Sequence, residues 1–94
     1  MNTKTEQVLE NLEKLETAPI THTQSFLTPK LKIQGILAEM IQEPTDEPLS
    51  TRLSEIERTW RHLGWGGSLK RYCAAIEELR IVMHLVETAR GTDD

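Results

Sequence analysis

Residues 49–90, LSTRLSEIERTWRHLGWGGSLKRYCAAIEELRIVMHLVETAR, decide the fold. Leu49, Leu53, Ile56, Trp60 and Leu63 recur at alternating spacings of four and three, which is the heptad seam of an amphipathic helix. Asp46 and Pro48 suit its first turn, so the helix is expected over 47–63. Gly64, Gly66 and Gly67 then break the chain. Ser68 caps a further helix over 68–90, closed by Gly91. There Leu69, Tyr72, Ile76, Leu79, Met83 and Val86 repeat the rhythm. Two such seams joined by a short turn are expected to face each other as an antiparallel helical hairpin.

Upstream, Thr3 and Glu6 stand at capping-box spacing and open a helix over 3–16, with Val8, Leu12 and Leu15 on one stripe and Leu9 beside it. Residues 17–27, TAPITHTQSFL, show no period and contain Pro19; they read as a loop pinned to the core by Ile20, Phe26 and Leu27. Thr28-Pro29 has the form of a helix start, an N-cap followed by proline at the first helical position. The helix it opens runs over 28–42 to Pro44 and contains Gly35, which a close helix–helix approach would explain. The expectation is one all-α domain of four helices spanning residues 1–94.

At 94 residues with 37% apolar content and four aromatic side chains, the core is small and aliphatic. Such cores are often completed by self-association. The helix over 68–90 carries a second apolar face, Ile81, Val82 and Leu85, so it is either central to the bundle or meets another copy; these three residues are the expected oligomer interface. The net charge of −4 weighs against a general nucleic-acid binder. No apolar run reaches the roughly 20 residues of a membrane span, no signal-like segment is present, and the lone Cys73 suits a reducing compartment. A soluble, cytoplasmic protein is expected.

The turn region 58–72, RTWRHLGWGGSLKRY, holds both tryptophans, the only tyrosine and four of the eleven Lys/Arg residues. Trp65 lies between glycines and off both seams. Beside Arg58, Arg61, Lys70 and Arg71 it has the composition of a protein-binding hot spot, so these five are the candidate partner-binding residues. The alternative for Trp65 is that it folds back over the end of the bundle.

Other chemistries find little support. His22, His62 and His84 are far apart and no cysteine pair exists, so no metal or cofactor is expected. Cys73 has no histidine at local spacing to act as base and reads as a packed, inert thiol. Glu55/Glu57 and Glu77/Glu78 are expected on exposed faces, with Glu77 placed to pair with Arg80 and Glu87 with Arg90. No catalytic residue is assigned and no enzyme is expected. GWGGS lacks the phosphate-loop pattern. Helix, turn and helix, with Lys70 and Arg71 opening the second, has the outline of a helix-turn-helix. Leu69, Tyr72, Cys73, Ala75 and Ile76 nevertheless leave few polar side chains to meet base edges. The alternative function is therefore a small DNA-associated transcriptional regulator using the basic 58–71 region, with direct DNA contact not expected.

The Glu-rich first helix, the segment TPKLKIQGILAEMI (28–41) and the block TWRHLGWGGSLKRYCAAIEELR (59–80) resemble the small derepression, epsilon-type proteins of satellite phages. The resemblance implies an antirepressor in the cytoplasm of a bacterial host. Such a protein binds a helper phage's lytic-cycle repressor, blocks its operator binding and derepresses the helper's lytic genes. It transfers no site residues.

Overall fold

The computed structural model describes residues 3–17, 23–64 and 69–90. Among them are four helices and no strand: α1 (Thr3–Thr17), α2 (Thr23–Met40), α3 (Leu49–Arg61) and α4 (Leu69–Arg90). Each helix packs on its neighbour in chain order, and α1 closes the ring on α4. With extents of 38 × 22 × 19 Å, the body is two helices by two in cross-section, at interaxial spacings of about 10 Å.

Each helix buries a stripe at spacings of three and four. On α1 the fully buried members are Thr5, Val8 and Leu12, with Leu9 and Leu15 packed at the edge. The α3 seam is as expected, with Leu49, Leu53, Ile56, Trp60 and Leu63 all buried. On α4, Tyr72, Leu79, Met83 and Val86 are buried as expected, Ile76 is half-buried, and Ala75 and Val82 are buried as well. The buried face of α4 is therefore wider than one seam. It absorbs much of the apolar surface that suggested a second face.

The largest departure from expectation is in α2. The helix begins at Thr23 and runs through Pro29, so 23–27 is helix rather than loop and Thr28 is not an N-cap. The reason lies in Phe26, Lys30, Ile33, Leu37 and Met40, all buried and again spaced by four and three. Starting earlier puts Phe26 on this seam, where its ring meets that of Tyr72 at a centroid distance of 5.2 Å and 45°. Leu27 packs beside the core. Proline removes one hydrogen bond, that to the carbonyl four residues earlier, and in the second turn burial of Phe26 and Leu27 outweighs that loss. Ile20 lies outside the described residues.

The helix ends are closed locally. After Met40 the chain tightens, with Gln42 N–H donating to Glu39 O at 3.2 Å and Glu43 N–H to Met40 O at 3.2 Å. The last turn of α3 ends with His62 N–H donating to Arg58 O at 3.2 Å and Leu63 N–H to Trp60 O at 3.3 Å. Lys4 at the start of α1 pairs with Glu43 beyond α2 at 3.0 Å. Arg80 on α4 pairs with Glu16 of α1 through both terminal guanidinium nitrogens rather than with Glu77. The Arg90 side chain lies outside the described residues.

Lys30 is a seam position occupied by a cation. Only 7% exposed, its ammonium donates to Gln34 Oε1 at 2.9 Å and to the backbone carbonyl of Arg61 at 3.3 Å. Arg61 O is one of the last α3 carbonyls, which have no acceptor role inside the helix, and a cation there complements the helix dipole. Lys30→Met keeps the aliphatic stem and removes both bonds. It is expected to lower the unfolding free energy by about 1–2 kcal/mol, measurable by chemical denaturation.

Candidate interaction surface

The expected partner-binding residues sit around one end of the bundle. Arg58 and Arg61 are exposed on the last turn of α3, and Lys70 and Arg71 are exposed on the first turn of α4. The Tyr72 hydroxyl donates to Gly64 O at 2.7 Å and ties the start of α4 to the chain leaving α3. Beneath lie the Phe26–Tyr72 ring contact and the buried Lys30 ammonium. Trp65 lies outside the described residues. Between Glu57 and Glu77 the sequence has no Asp or Glu, so this end is cationic in a chain whose net charge is −4.

The four cations are not equivalent. Glu57, expected on an exposed face, is instead buried beside Ile56 on α3, and Arg61 approaches its carboxylate at 3.4 Å and so also serves the fold. Arg58 instead borders a surface groove of about 390 Å³ between the end of α2 and the outer face of α3. Ile41, Thr45, Glu47, Ser50, Thr51 and Ser54 are among its other walls, and Leu53 lies at its base. Arg58 therefore faces a hydroxyl-lined groove as well as the basic end. Lys70 belongs to the basic end alone, and Arg71 is exposed beside it.

Glu47 stands at the other end of that groove, where α3 begins. Its carboxylate accepts hydrogen bonds from the hydroxyls of Ser50 and Thr51. The Ser50 bond is the main cause, and Thr51 a further one, holding its pKa below the ordinary carboxylate value. A carboxylate just ahead of the helix N-terminus, one residue before the N-cap Pro48, also favours the helix dipole. Because the folded-state value is depressed, the stabilisation is present above the unfolded-state value of about 4.3 and is lost as pH falls through the folded value. Glu47→Gln should therefore flatten the acid side of the thermal-midpoint profile while changing its neutral region only slightly.

The expected oligomer residues separate. Val82 is 1% exposed and sits in the core, because α4 buries the wider face described above. It is not available to another copy. Leu85 is half-buried against the core, leaving Ile81, 50% exposed, as the outward apolar side chain of the three. Cys73 is exposed rather than packed, since Tyr72 and Ala75 take the buried positions on either side. Gly35 is exposed, and a Cβ built there meets nothing within 4 Å, so among the described residues the close approach expected for it is not made.

Lys30 and the groove escaped the sequence reading. Extending the α2 seam backward from Met40, Leu37 and Ile33 reaches Lys30 and Phe26, so that signal was present; the Thr-Pro pair masked it. The groove depends on how α2 meets α3 and has no local signature. Among the described residues no helix is long and apolar enough to cross a membrane, and no three His, Cys, Asp or Glu side chains gather as a metal site. No family model, curated protein or solved structure matches this chain.

Proposed function

We propose that this chain is a protein-binding regulator that docks an acidic partner surface on its basic end, acting as an antirepressor that keeps a phage repressor from its operator. The observation that carries the reading is the exposed cationic end formed by Arg58, Arg61, Lys70 and Arg71 in an otherwise acidic molecule. Charge of one sign concentrated at one end steers an oppositely charged partner and suppresses wrong ones. The resemblance of 28–41 and 59–80 to satellite-phage derepression proteins supplies the partner class.

A DNA-associated regulator is the second reading, favoured by the same exposed Lys70 and Arg71 on the first turn of α4. Salt separates the two. Binding driven by phosphate contacts loses about 10³–10⁵ in affinity between 50 and 200 mM salt when six to ten contacts are made. Binding through a packed protein interface changes far less. Titrating the protein into a preformed repressor–operator complex at both salt concentrations provides the test. Release of free operator at both concentrations supports antirepression. A shifted band containing this protein and DNA without repressor, lost at the higher salt, would overturn it in favour of direct DNA binding.

A further inference from the structure

Helix α2 has an outward face that its own bundle does not explain. Leu31 is 57% exposed, the most exposed of the large apolar side chains among the described residues. One turn later Gly35 is exposed in mid-helix with open space where a side chain would stand. Alanine is the better helix former at such a position, so nothing among the described residues calls for glycine. A second backbone passing close to Gly35 would account for it.

The arrangement of charge says which backbone. At about 100° per residue, Leu31, Gly35 and Ala38 fall within an arc of roughly 60°. Exposed Lys32 and Glu39 both lie on the same flank of that arc, and their midpoint falls between Gly35 and Ile36. Lys32 has no ion pair among the described residues. Glu39 is 66% exposed and only approached by Lys4, at 3.9 Å.

Two antiparallel α2 helices related by a two-fold axis keep each flank on its own side and reverse only its direction. With the axis between Gly35 and Ile36, Lys32 of each copy stands level with Glu39 of the other, so one flank forms two ion pairs. The helices cross at the glycines. Leu31 falls beside Ala38 of the second copy. This is the self-complementarity an isologous interface requires.

We propose that α2 is a homodimer face, occupied by a second copy of this chain packed antiparallel across Gly35, with Lys32 and Glu39 fixing the register. It is a different surface from the basic end, and the proposal does not depend on the antirepressor reading.

Sedimentation equilibrium at tens of micromolar tests it, with circular dichroism confirming that each variant is folded. The wild type should have twice the 10.8 kDa chain mass. Lys32→Glu and Glu39→Lys each set like charges opposite one another at two places, and each should weaken the dimer by about tenfold or more. The double variant Lys32→Glu/Glu39→Lys restores opposite charges and should restore the dimer. The proposal is overturned by a monomeric wild type, by singles that dimerise as well as wild type, or by a double variant that stays as weak as the singles. Dissociation by Ile81→Glu with no effect of Lys32→Glu would place the interface on α4 instead, and would equally overturn it.

Discussion

Replacing Trp60 by alanine is expected to remove about 3–5 kcal/mol of stability, enough to leave the domain close to unfolding. Trp60 has no exposed surface and is the largest of the fully buried side chains. It occupies the fourth position of the α3 seam, amid the apolar residues of all four helices. Truncation there opens a cavity in the core cluster that the surrounding structure relaxes only partly to fill. At about 4–8 °C per kcal/mol for a domain of this size, the thermal midpoint should fall by about 12 °C or more. Trp60→Phe should cost markedly less, because it keeps the ring and discards an indole N–H that has no acceptor among the described residues. Equal losses for the two variants would show that the indole N–H, not the filled volume, matters at this site.

The second large effect concerns binding. Arg58→Glu together with Lys70→Glu should weaken partner affinity by several kcal/mol, since like charges brought together across an interface cost that much. These two positions are chosen because both are exposed and neither has an ion pair among the described residues. Arg61 is avoided, because reversing it would strand the nearly buried Glu57 and confuse folding with binding. The variant's thermal midpoint should stay within a few degrees of wild type. Association should slow more than dissociation speeds up, the sign of lost steering. Titration calorimetry and stopped-flow mixing with the isolated partner measure both. Unchanged affinity would remove the basic end from the interface.

How far the sequence went follows from where its rules compete. The spacing of Leu49 to Leu63 had no rival signal, and all five side chains are buried as the heptad requires. Thr28-Pro29 had a rival: a strong local helix-start pattern lay over a seam reaching back to Phe26, and tertiary burial prevailed over local chemistry. Val82 and Cys73 exchanged roles for a related reason. A second apolar face on α4 is legible in the sequence, but whether it turns inward or meets another copy is not; α4 turns a wider face inward, burying Val82 and Ala75 and leaving Cys73 outside. The cations of the interaction surface were legible because charge stays at the surface wherever the helices pack. Lys30 is the exception, drawn inside by the carbonyl at the end of α3. The pairing of Arg80 with Glu16 rather than Glu77 was out of reach, since it depends on α1 closing the ring against α4.

The most direct measurement is expression from a promoter silenced by a helper phage's lytic-cycle repressor, in cells supplied with this protein or with the Arg58→Glu/Lys70→Glu variant at equal abundance. Wild-type protein should restore expression, and the variant should leave the promoter silent although it folds normally. If wild type fails to derepress, or the charge-reversed variant derepresses as well as wild type, the basic end is not the surface through which this protein acts.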